Sequence, residues 1–151
     1  MNNEIIENII KMTKQLFATM FQVEVVAGMP YIVDPASDTQ WDISGVISIA
    51  GSLSGLLAVR YHQKLTYSML ENSRIQTADL GGSLLGDMVG EVSNTIAGNV
   101  LSNIGLEELY LSIPVAIQGG SHIISWPRNT EITAVPFYVM SETFVVQIGL
   151  K

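Results

Sequence analysis

The chain has 151 residues, 48% of them hydrophobic and 14% charged, enough apolar material for one packed domain and too little charge for a disordered segment. Seven basic residues stand scattered against fourteen acidic ones, and the net charge of −7 argues against a nucleic-acid role. Cysteine is absent, which excludes a disulfide framework and thiol catalysis.

In chain order, Asn2 and Asn3 can cap a helix over residues 4–21, with Glu4 and Glu7 in its favourable first turn. Ile6, Ile9, Ile10, Leu16, Phe17 and Met20 give that helix its apolar stripe. Residues 23–26 read as a short strand, broken by Gly28-Met29-Pro30, and Asp34-Pro35 with Ser37-Asp38 marks a loop. Residues 41–50 and 53–61 predict a hairpin around Gly51-Ser52. Ser44, Ser48, Ser52 and Ser54 fall on its strands and turn, with no neighbouring base to make nucleophiles of them. A second helix follows over 64–71, with Leu65, Met69 and Leu70 inward, and ends at Asn72-Ser73.

A long central helix spans 79–104, capped by Thr77 or Asp79 and stopped by Gly105. Residues 106–117 are extended, and Pro114 within them indicates an edge strand or a bulge. Gly119-Gly120 opens a loop that runs through Trp126-Pro127. Residues 131–140 and 143–149 form a last hairpin around Ser141-Glu142. Helices and strands do not alternate strictly. The fold class is therefore α+β, an antiparallel β-sheet with three helices in a single domain over residues 1–151. Paired strands around the second and third helices hint at a pseudo-repeat.

The mean hydropathy of +0.35 raises the question of a membrane span. The most apolar run, 45–59, is too short and too rich in Ser and Gly for one. The first fifteen residues have early acids and no apolar core of signal-peptide type. The expectation is a soluble, cytoplasmic protein without a membrane partner.

On the central helix, at roughly 100° per residue, Leu84, Leu85, Met88, Val89, Val92, Ile96 and Val100 share one broad arc. Asp87, Glu91, Asn94 and Gly98 fall on the opposite arc. Asn99 points into the apolar arc, where a buried, hydrogen-bonded amide is expected. Gly82, Gly86, Gly90 and Gly98 each cost about 0.5–1 kcal/mol relative to Ala, so something must come close to this backbone. Glu91 and Asn94 are surface neighbours at i and i+3. That spacing alone is weak, and a solvated helix face is the plain alternative. The two histidines, His62 and His122, are isolated, and no metal-ligand spacing surrounds them. No metal or other cofactor is expected on this chain.

The run Gly90-Glu91-Val92-Ser93-Asn94-Thr95-Ile96-Ala97-Gly98-Asn99 resembles the signature helix of the CheC/CheX family, chemotaxis phosphatases that act on the phosphorylated response regulator CheY. Trp41 to Gly51 followed by Gly55 resembles the family's first hairpin. Ser112-Ile113-Pro114-Val115-Ala116-Ile117-Gln118-Gly119 resembles the Pro-containing strand after the helix. CheC-type members carry two E-x-x-N helices, and this chain has one, which points to the single-site, CheX-like branch. Thr95 departs from the Met found in many relatives.

The resemblance implies an aspartyl-phosphate phosphatase whose partner is a phosphorylated CheY-like receiver domain. It assigns Asn94 to positioning the attacking water and Glu91 to the receiver's active-site lysine. Asp87, Gly90, Ala97 and Gly98 would form the surrounding contact surface. Mg²⁺ would be supplied by the receiver, and the chain would form a homodimer with one site per subunit. The alternative from another class is a non-catalytic module that binds receivers or belongs to the flagellar switch, where related folds occur.

Overall fold

The computed structural model describes residues 2–73, 84–105 and 108–151. Helix α1 (Asn3–Phe21) begins where the Asn2 side-chain oxygen accepts the Glu4 N–H at 2.8 Å, and it ends at Gln22, whose backbone is left-handed. Ile5, Ile9, Thr13, Phe17 and Phe21 are its buried face. Ile6, Ile10, Leu16 and Met20 pack at the margin of the core, and Ile9 and Phe17 lie at its centre.

Strands β1 (Val26–Ala27) and β2 (Tyr31–Ile32) follow, then the hairpin of β3 (Ile43–Gly51) and β4 (Gly55–Tyr61). Next come helices α2 (Gln63–Asn72) and α3 (Leu84–Asn103), the short strands β5 (Leu109–Leu111) and β6 (Val115–Gln118), and the hairpin of β7 (Thr133–Val139) and β8 (Glu142–Leu150). The strand expected at 23–26 is reduced to Val26–Ala27, because only that pair meets β7. Pro114 separates β5 from β6, and both pair with β3. The final turn falls at Met140-Ser141, both at positive φ (49° and 63°), the two-residue geometry that matches strand twist. Glu142 therefore lies in β8 rather than in the turn. The expected helix caps Thr77 and Asp79, Gly82, and the start of the extended stretch at Leu106 lie outside the described residues. Gly105, at φ 67°, follows the end of α3 as expected.

The architecture is α+β, with all described strands in one antiparallel sheet of order β1-β7-β8-β4-β3-β5; β2 also pairs with β7 and β6 with β3. The last strand inserts beside β4, so the two hairpins are fused at the sheet centre through the β4–β8 ladder. The topology contains a pseudo-repeat, with units different from those expected. Each unit is a helix, two short strands and a hairpin: α1 to β4, then α3 to β8, with α2 as connector. The short strands of each unit pair with the hairpin of the other.

The helices cover one face of the sheet. Ile47, Leu57, Val59, Val135, Val146 and Ile148 project from it into a core shared with Val89, Val92, Ile96 and Val100 of α3. Helix and sheet come into close contact at Gly45 in β3. A Cβ there would stand 2.7 Å from the Val89 carbonyl oxygen and 2.7 Å from Ser93 Oγ. Helix α3 thus rests its backbone on β3 where the strand has no side chain. Ser93 fits beneath because its hydroxyl folds back and donates to Val89 O and Gly90 O, at 3.1 Å each.

This contact predicts opposite outcomes for two glycines. Gly45→Ala should lower stability by roughly 1–3 kcal/mol, because a helix backbone has to move to admit the methyl group. Gly98→Ala, with nothing within 4 Å of the added atom, should leave stability unchanged or raise it by up to about 1 kcal/mol. Urea denaturation of both variants checks this; a Gly45→Ala midpoint equal to wild type would contradict the packing.

Candidate active site

Two groups of polar side chains have the makings of chemistry, one on each side of the sheet. The first is a buried network on the face away from the helices. Arg60, 1% exposed, donates from Nε to Ser44 Oγ at 3.0 Å, from Nη2 to the His122 carbonyl at 3.0 Å, and from Nη1 to the Asp38 carboxylate. Gln147 Nε2 donates to the same carboxylate at 2.7 Å. Ser44 Oγ lies 2.7 Å from His122 Nε2, and His122 Nδ1 lies 2.7 Å from the Gly119 carbonyl. A carbonyl only accepts, so Nδ1 carries a proton; in the neutral imidazole Nε2 then accepts from Ser44.

The Ser–His pair is nevertheless no nucleophile. Ser44 is fully buried, and its oxygen is held between Arg60 and His122. Burial lowers the Arg60 pKa from its ordinary value, and the Asp38 charge and hydrogen bond oppose that shift. The network fastens the loops around Asp38 and His122 over the sheet. Across from it, Asp42 of the β3 approach accepts the Gln63 N–H at 2.9 Å and so caps α2, while His62 stacks on Trp41 with ring centroids 4.7 Å apart.

The second group is the outer face of α3. Val89, Val92, Ser93, Ile96, Ala97, Val100 and Leu101 are buried against the sheet and α1, which fixes the rotation of the helix. Asp87, Glu91 and Asn94 are exposed, and Gly98 lies among them with open space above it. Glu91 and Asn94 therefore stand one turn apart on a helix that the core holds rigid. Among the described residues, the Asn94 amide has no side-chain partner, so both its oxygen and its NH₂ are available.

Three expectations for this helix are corrected. Ala97 is fully buried, so it belongs to the core and not to the exposed face. Gly90 is buried too; a Cβ there would meet Pro114 of the same chain at 3.5 Å, so the residue leading into β6 is what comes close to this stretch. Gly86 is similar, facing Ala116 at 3.6 Å. Asn99 is exposed rather than buried: at roughly 100° per residue it falls between the buried Met88 and Val92, but it lies near the C-terminal end of α3, where Ser102 and Asn103 are exposed too. Thr95, noted in the sequence only for its departure from Met, donates its hydroxyl to Glu91 Oε1 at 3.3 Å, a bond that sequence reasoning missed. Its signal was the i, i+4 spacing from an acid on a helix.

The acid–amide pair stands on an exposed helix face. A cavity of about 360 Å³ opens elsewhere, between Asn2, Ile5 and Leu150, and is lined by neither Glu91 nor Asn94. Among the described residues, no group of three or more His, Cys, Asp or Glu is placed to hold a metal ion, and no helix is long and apolar enough to cross a membrane. The acid–amide pair suits a substrate that is itself a protein surface.

A family model described as chemotaxis phosphatase CheX matches residues 43–138. Among solved structures, a putative chemotaxis protein from Desulfovibrio vulgaris Hildenborough superimposes with a TM-score of 0.82 at 26% identity, covering 98% of this chain and 97% of that one. The chemotaxis protein CheX from Desulfovibrio desulfuricans gives 0.79 at 26% identity, covering 98% and 99%. The CheX of a CheX–CheY–BeF₃–Mg²⁺ complex from Borrelia burgdorferi shares the fold, with a TM-score of 0.76 at 22% identity over 97% of each chain. No curated protein matches the chain in sequence.

The two polar groups predict different responses to truncation. Glu91→Ala and Asn94→Ala should each stay within about 0.5 kcal/mol of wild-type stability, as exposed side chains do. Asp38→Ala should cost roughly 3–5 kcal/mol, because it leaves the buried Arg60 charge unpaired. Chemical denaturation followed by circular dichroism separates the two classes; a large loss with Asn94→Ala would mean that the amide supports the fold.

Proposed function

This chain belongs to the CheX family, and from that premise we propose that it hydrolyses the aspartyl phosphate of a CheY-like receiver domain, with Asn94 and Glu91 as its working residues. The observation that carries the reading is the exposure of both side chains, one turn apart, on a helix anchored by its opposite face. The Borrelia complex, in which a CheX is paired with a CheY, supports a receiver as the class of partner.

The chemistry follows from what an acyl phosphate needs. The receiver supplies the phosphorylated aspartate together with its own lysine and Mg²⁺, so what remains is to hold a water in line with phosphorus. A carboxamide suits that task. The Asn94 oxygen accepts a hydrogen bond from the water, and the amide bears no charge to repel the phosphoryl oxygens. Glu91 pairs with the receiver's lysine by a charge-assisted hydrogen bond that sets the docking pose. Asp87 extends the acidic surface by one turn, and Gly98 leaves room for the receiver's backbone.

The kinetic consequence separates the two residues. Asn94→Ala should lower kcat by about 10²- to 10⁴-fold and leave receiver binding largely intact, because the amide acts on the water in the transition state. Glu91→Ala should weaken binding. Gly98→Leu should fold and yet fail to bind, since its side chain would stand in the contact. The assay is phosphate release from a phosphorylated CheY-type receiver over a range of its concentration. Wild-type turnover by Asn94→Ala would refute the water-positioning role and favour a binding module.

The same reading takes the protein to be a cytoplasmic homodimer with one site per subunit. Light scattering at micromolar concentration should give about twice the 16.4 kDa mass of the chain. A monomer mass that persists as concentration rises would contradict it.

A further inference from the structure

Hydroxyls in the middle of a helix ordinarily fold back onto a carbonyl one turn earlier. Ser93 does so, bonding Val89 O and Gly90 O. Thr95, two residues on, does not: its Oγ1 donates to the Glu91 carboxylate at 3.3 Å. Seen down the helix at roughly 100° per residue, Asn94 lies to one side of Glu91 and Thr95 to the other. The hydroxyl therefore draws the carboxylate away from the amide.

We infer that Thr95 is a positioning residue that holds Glu91 apart from Asn94; this rests on the reading of the α3 outer face as the surface that meets a phosphorylated receiver. The physical need is specific. A carboxylate and an amide at i and i+3 are within reach of each other, and a Glu91 that accepted from the Asn94 NH₂ would occupy a donor of the water-holding group. It would also turn the carboxylate away from the receiver's lysine. Thr95 occupies one carboxylate oxygen and leaves the second for the incoming ammonium. Among the described residues, the side-chain bond made by Glu91 goes to Thr95 and none joins it to Asn94.

Thr95→Val keeps the shape and removes the donor, and Thr95→Ser keeps the donor. Both are to be measured for kcat and KM of phosphate release and for Kd toward a CheY-type receiver loaded with beryllium fluoride and Mg²⁺. The same substitutions are then repeated in a Glu91→Ala background. Thr95→Val should raise KM and Kd by about 3- to 10-fold, the scale of one hydrogen bond to an exposed charged group. Thr95→Ser should lie within about 2-fold of wild type, and Thr95→Val should add nothing once Glu91 is gone. Equal KM and Kd for Thr95→Val and wild type would overturn the inference while leaving the phosphatase reading standing. So would equal impairment by Val and Ser, or an effect that persists without Glu91. A wild-type protein that neither binds nor dephosphorylates the receiver would overturn both.

Discussion

The seat of α3 on β3 at Gly45 governs the rest of the structure. With 2.7 Å between a would-be Cβ and the Val89 carbonyl, the helix backbone sits directly on the strand there and no side chain could stand between them. Rolling it would drive larger side chains than Ser93 into the same gap. The rotation of α3 is fixed by that contact and by the buried series Val89, Val92, Ile96 and Val100. The orientation of Glu91 and Asn94 toward solvent is its direct consequence. On the proposed reading, a pair on a helix that cannot turn needs no pocket, because the partner's own surface would enclose the reaction.

The sheet has to be stiff beneath that helix, and two devices make it so. The β4–β8 ladder ties the two hairpins into one antiparallel sheet. On the far face, Arg60, Asp38, Gln147, Ser44 and His122 close a hydrogen-bonded network over β3, β4 and β8. Ser44 and Gly45 are successive residues of β3 and point to opposite faces. One anchors the network and the other admits α3, so a single strand couples both layers.

The periodicity of α3, the two hairpins and the role of Pro114 were legible in the sequence, because each is a local pattern of spacing or backbone restriction. Glu91 and Asn94 stood out through their position opposite the apolar arc. The edges of that arc were not legible. Ala97 and Asn99 are decided by how far β3, β6 and α1 reach around the helix, which no helical wheel contains. Gly90 was read as an opening toward a partner, and Pro114 fills it from the same chain. The polar network was beyond reach because its links join residues as far apart as Asp38 and Gln147. The pseudo-repeat left only a faint trace in sequence. Ile9, Thr13, Phe17 and Phe21 of α1 match Val89, Ser93, Ala97 and Leu101 of α3 in burial. On that match the exposed Lys11 and Lys14 stand where Glu91 and Asn94 stand, so α1 does not repeat the acid–amide pair.

On the proposed reading, the outer face of α3, held in one rotation by the Gly45 contact, is the surface that receives the phosphorylated partner. Amide chemical-shift mapping of the isotope-labelled protein, titrated with a beryllium-fluoride-activated CheY-type receiver, tests it most directly. Perturbations should centre on Asp87, Glu91, Asn94 and Gly98, and the receiver lacking beryllium fluoride should produce much smaller ones. Perturbations centred instead on the exposed side chains of the sheet edge, Tyr110, Ile113 and Val115, with α3 unchanged, would contradict it.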